Sequence, residues 1–112
     1  MPRSAVRAYS RYTEEALSLL AGLIRAARLE KKLSAQEVAD RVGISRGMLS
    51  RIEKADPKCE IGATFEVARI VGVSLFDAEP SRLAMQVKQV EEKLALLPKS
   101  ARKAKKAVID DF

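Results

Sequence analysis

The segment SAQEVADRVGISRGMLSRIEK, Ser34–Lys54, limits the possible folds of this chain more than any other stretch. With Gly43 as a turn, Val38, Val42, Ile44, Leu49 and Ile52 stand where two crossing helices must bury apolar residues, and Ala39 leaves room for a close crossing. Ser34 and Glu37 spell an S-x-x-E capping box: the hydroxyl takes an orphan N–H of the first helix and the carboxylate reaches back to the cap. Ser45 caps the second helix. Gly43 suits the residue just past a helix end, where a left-handed backbone penalises any Cβ. A generic αα-hairpin of a bundle does not need alanine, glycine and these apolar positions together. The segment therefore reads as a helix-turn-helix.

With Leu49 and Ile52 turned inward, the second helix presents Arg46, Gly47, Ser50, Arg51 and Lys54 outward, with Met48 near the edge of that face. A helix N-terminal half carrying an arginine, a bare glycine and a serine can approach base edges in the major groove of double-stranded DNA. Arg46 is the first candidate for a base contact, because a guanidinium can fork onto the O6 and N7 atoms of guanine. Arg51 and Ser50 come next, and Gly47 permits close approach. Any arginine taken alone reads first as a solvated surface charge; the motif reverses that preference at Arg46 and leaves both readings open at Arg51. Gln36, Arg41, Ser45, Lys54 and Lys58 are candidates for phosphate contacts.

The net charge is +6, and its distribution says more than its size. Residues 1–12 carry Arg3, Arg7 and Arg11 without an acid, and residues 98–112 carry five basic residues against Asp110 and Asp111. The two tails thus hold the whole excess. Inside the neutral remainder, residues 25–58 have nine basic and five acidic side chains, so the positive field is centred on the motif, as phosphate contact requires. A single cysteine, Cys59, forbids an intramolecular disulfide, and the absence of histidine removes the commonest zinc ligand and general base. No Gly-rich phosphate loop or nucleophile elbow is present, so no enzyme, cofactor or metal is expected. No apolar run reaches a membrane span and the first residues lack a secretory h-region, which reads as soluble and cytoplasmic.

The expected architecture is all-α: a five-helix DNA-binding domain over residues 13–80, preceded by a basic arm (1–12) and followed by a helix (81–97) and a flexible basic tail (98–112). Thr13 is expected to cap the first helix, whose buried stripe is Leu17, Leu20, Leu23 or Ile24, and Ala27. A fourth helix spans Ile61–Val71 and packs Phe65 and Ala68 inward, with Ile61 and Val71 as further candidates, until Gly72 stops it. A short fifth helix starts near Ser74 and places Leu75 and Phe76 on the core before Pro80 breaks the chain.

The run LSAQEVADRVGISRGMLSRIEKADPKCEIGATFEVARIVGVSLF resembles the Cro/repressor-type helix-turn-helix regulators, the xenobiotic-response-element (XRE) family, over about Leu19–Phe76. The "EIG" before "TFEVARIVGVSLF", a helix ending "EEKLALLPK" and a basic tail closing on "DDF" are further similar to HipB-type antitoxins, which sit beside HipA-like kinase toxins. The resemblance implies phosphate or base contacts at Ser45, Arg46, Gly47, Ser50 and Arg51. Two positions depart from the family. Ala35 replaces the usual phosphate-anchoring glutamine, and Gln36 next to it points about 100° away. Ala55 replaces the usual glycine after the motif, which implies a slightly different helix ending.

Leu83, Val87, Val90, Leu94 and Leu97 follow a four-three-four-three spacing that draws one apolar seam. It can pack on its own domain, pair with a second protomer, or hold another protein. A homodimer on a palindromic operator is favoured because one motif reads too few base pairs. The tail ends in Ile109, Asp110, Asp111 and Phe112, which could order on a toxin surface; as alternatives it is a DNA arm or a solubilising extension. Function is thus read as a sequence-specific transcriptional repressor, the autoregulating antitoxin of a toxin–antitoxin pair. The alternatives are a protein-binding module and a phage-type or metabolic regulator without a toxin partner.

Overall fold

A computed structural model of the protein describes residues 8–76 and 79–101. The chain divides into two compact units, Met1–Leu75 and Phe76–Phe112. Among the described residues all regular structure is helical. The first unit holds α1 (Arg11–Glu30), α2 (Ala35–Val42), α3 (Arg46–Glu53) and α4 (Ile61–Val71); the second holds α5 (Pro80–Ala95). The all-α class is therefore the one expected.

Local chemistry sets the helix ends. Ser10, not Thr13, caps α1: its hydroxyl accepts from the Thr13 N–H at 3.2 Å, and Arg11 and Glu15 pair across the first turn at 3.2 Å. Two capping residues three apart compete, and the earlier one adds a turn. The Ser34–Glu37 capping box is complete, with bonds of 3.0 and 2.7 Å. These bonds favour the charged carboxylate and hold the Glu37 pKa below its ordinary value. Gly43 ends α2 at φ 84°, the left-handed turn expected of it.

Beyond α4 the structure departs from the expected course. Gly72 turns the chain out at φ 89°, and the Val73 N–H donates back to the Ala68 carbonyl at 2.7 Å. Residues 73–76 then form no helix, so the short fifth helix expected from Ser74 is not found among the described residues. Leu75 packs on the core without it, whereas Phe76 is left 67% exposed. Pro80 opens α5 instead of breaking the chain, because a first helical residue needs no N–H and the fixed proline φ is already helical.

The core of the first unit is Ile24, Val38, Ala39, Leu49, Ile52, Ala63, Val67, Ala68 and Val71. Ala39, fully buried, occupies the crossing of α2 with its neighbours. Of the alternatives on α1, Ile24 faces in and Leu23 faces out. On α4 the buried stripe is Ala63, Val67, Ala68 and Val71, while Phe65 and Ile61 are 41% and 71% exposed. Small residues let α4 lie close on α1 and α2, and the bulkier Phe65 and Ile61 are displaced to the wall of an apolar groove of about 240 Å³ shared with Leu17 and Leu20 of α1.

One buried ion pair ties the ends of α1 and α3 together. Arg28 donates from Nε and Nη2 to the two carboxylate oxygens of Glu53 at 2.7 and 2.9 Å, and from Nη1 to the Leu33 carbonyl at 3.0 Å. The side chains are 10% and 8% exposed. The hydrogen bond to Glu53 raises the already high Arg28 pKa against the opposing effect of burial. This fork fixes the end of α3 against α1 and the loop that leads into α2.

Candidate nucleic-acid interface

Helix α3 is buried on one face through Leu49 and Ile52 and exposed on the other through Arg46, Gly47, Ser50 and Arg51. Met48 is half-buried at the boundary, packed against the core. Arg46, Ser50 and Lys54 are spaced by four residues and share one helix face. Ser45 is committed as the cap, accepting from the Met48 N–H at 3.0 Å, and its carbonyl takes the first helical bond from Leu49. The N–H groups of Arg46 and Gly47 precede that bond and lie at the positive end of the helix, where an anion is favoured.

Gly47 has an ordinary helical backbone, and a Cβ built there would meet only Arg51 Nη1 at 3.7 Å and Ser45 Oγ at 3.8 Å, both ordinary contacts. Nothing inside the fold requires this glycine, although glycine within a helix costs about 1 kcal/mol relative to alanine.

The other candidates fall in different places. Gln36 is on α2, exposed, where its amide donates to Asp40 at 2.8 Å and keeps a second N–H. Ala35, where the resemblance would place a glutamine, is half-buried against the core. Arg41 is exposed in the last turn of α2, Lys54 caps the end of α3, and Lys58 is exposed in the loop that follows.

The end of α3 differs from expectation. Ala55 adopts φ 64° and donates to the Ile52 carbonyl at 3.2 Å, while the Asp56 N–H bonds the Arg51 carbonyl at 3.0 Å. This is the paired hydrogen bonding of a left-handed helix ending, the geometry a glycine would supply. The ending is thus kept, and Ala55 bears the strain of holding a Cβ there. Ala55→Gly is expected to raise stability by about 0.5–1 kcal/mol, the relief of strain outweighing the added chain entropy; the shift of a urea midpoint at constant slope measures it.

That turn brings Asp56 beside Arg51, an association that residue spacing alone does not announce. Arg51 Nε stands 3.9 Å from Asp56 Oδ2. The neighbouring Cys59 is a free thiol whose pKa is raised by burial and by Asp56, so it stays protonated at neutral pH. Among the described residues no cluster could hold a metal, and no helix is long and apolar enough to cross a membrane.

In the second unit, Leu83, Val87, Val90 and Leu94 lie on α5 and are 40%, 52%, 56% and 60% exposed. Leu97, the expected fifth member of the seam, falls beyond the helix, which ends with Leu96 as its cap. Arg3 and Arg7 of the arm, and Ile109, Asp110, Asp111 and Phe112 of the tail, lie outside the described residues.

The family described as helix-turn-helix matches residues 24–75, just under half of the chain. The matched span runs from within α1 to the end of the core and includes the whole exposed face of α3. Over these residues the chain is similar to that helix-turn-helix family. A solved structure named "MDT Protein" is similar at 21% identity with a TM-score of 0.49, over 67% of this chain and 100% of its own. No curated protein matches the chain.

Proposed function

We propose that this protein is a sequence-specific transcriptional repressor that binds a palindromic operator as a homodimer, with α3 in the major groove. The observation that carries this reading is the outward face of α3, where Arg46, Ser50 and Arg51 surround a glycine that the fold itself does not need. Arg46 reads a base edge, Arg51 and Ser50 are the next base contacts, Gly47 allows close approach, and Ser45, Arg41, Lys54 and Lys58 hold phosphates. Gln36 joins them through the second N–H of its amide. A gel shift on the DNA upstream of its own gene, against random duplex at the same salt, tests the reading; equal affinity for both would remove sequence specificity.

Dimerisation is assigned to α5 through Leu83, Val87, Val90 and Leu94, with Leu97 just past the helix. An exposed apolar seam of this spacing is stabilised by a second helix. Leu94→Asp is expected to shift the sedimentation mass toward the monomer by placing a charge in the seam, and to lower operator affinity more than affinity for random DNA. An unchanged mass would take α5 out of the interface.

The narrower role, autoregulating antitoxin, rests on the resemblance of the "EIG" and "DDF" segments to HipB-type proteins. On that reading the tail residues Ile109–Phe112 engage a co-encoded HipA-like kinase. Capture of such a kinase by the full chain, lost on deletion of residues 99–112, supports it; no capture returns the protein to the stand-alone regulators.

A further inference from the structure

We propose that Asp56 is a positioning residue for Arg51, holding its guanidinium back along α3 over Gly47 so that it meets DNA in one fixed direction and contributes to sequence discrimination. The proposal rests on the DNA-binding reading above and extends it to a residue outside the recognition helix.

Four observations converge on this residue. The Arg51 guanidinium lies within ion-pair range of Asp56, Nε to Oδ2 being 3.9 Å. Its Nη1 sits 3.7 Å from the point where a Cβ of residue 47 would stand, one turn back on the same helix. The carboxylate is itself aimed, because its Oδ1 accepts from the Lys58 N–H at 2.9 Å. The turn that delivers Asp56 to this place is locked by the Asp56 N–H to Arg51 carbonyl bond of 3.0 Å and by the left-handed Ala55.

Charge decides what such an arrangement is for. An arginine serving only to neutralise phosphate gains nothing from a nearby aspartate, which repels the same phosphate. A pairing that weakens indiscriminate binding yet narrows the directions open to the guanidinium lowers affinity for every sequence and raises the ratio between the right one and the rest.

The test starts with full-length protein selecting bound duplexes from a random pool, followed by competition between the selected and a scrambled duplex at fixed salt. For Asp56→Asn the specificity ratio is expected to fall by about 5-fold, while affinity for scrambled duplex is unchanged or higher. Asp56→Ser, whose hydroxyl can still accept from the Lys58 N–H, is expected to behave alike should the asparagine variant fold poorly. In an Arg51→Ala background Asp56→Asn should leave the ratio where it was. If selected and scrambled affinities move by the same factor, or if the aspartate substitution keeps its full effect without Arg51, Asp56 acts by charge or stability alone and the proposal is overturned. If the unmodified protein selects no sequence at all, the DNA-binding reading falls first and this proposal with it.

Discussion

Replacing Arg28 by alanine is expected to destabilise the helix-turn-helix domain by about 3–5 kcal/mol, the usual loss when one partner of a buried ion pair is removed. The substitution strands the Glu53 carboxylate, 8% exposed, and removes the donor that satisfies the Leu33 carbonyl. Arg25, 3.9 Å from Glu53 and itself largely exposed, is too distant to replace a bidentate fork. A small domain has only about 5–15 kcal/mol in total, so the variant should be unfolded in much milder urea. The double variant Arg28→Met/Glu53→Leu should recover a good part of the loss, since an apolar pair of similar volume carries no desolvation penalty. If Arg28→Ala moves the urea midpoint no more than an exposed arginine such as Arg25→Ala does, the fork is not what holds α3 to α1.

The second large effect is on DNA. Arg46→Ala is expected to weaken binding to the preferred site by about 1–3 kcal/mol and to relax selection at one base pair, the signature of a lost bidentate contact to guanine. Arg46 is exposed and shows no structural ion pair among the described contacts, so the fold should be unaffected. Equal losses on preferred and random duplex, with the salt slope reduced by about one, would make it a phosphate contact instead.

The motif was legible because several local rules agree on it. Ser34 with Glu37, Ser45, Gly43 and the apolar set from Val38 to Ile52 each specify the same two helices, and the structure places them so. Where two rules competed, the reading failed. Ser10 and Thr13 are both good caps, and nothing in a single sequence ranks them. On α4, Phe65 has the larger apolar surface, but Ala63 and Val67 win the core because the close neighbours α1 and α2 leave no room for a ring. Pro80 is as good a helix starter as a breaker, and the heptad spacing carries Leu97 past the point where α5 ends. The Arg28–Glu53 fork and the Asp56–Arg51 pair join residues twenty-five and five positions apart. The first is invisible to periodicity, and the second needed the left-handed state of Ala55, which a residue with a Cβ does not announce.

The most direct measurement is selection of bound duplexes from a random pool by the full chain, followed by dissociation constants for the selected and a scrambled duplex at one salt concentration. The account predicts a palindromic sequence with half-sites about one helical turn, ~34 Å, apart, bound roughly 10³-fold or more tightly than the scrambled duplex. No enriched sequence, or equal affinity for the two duplexes, would contradict it.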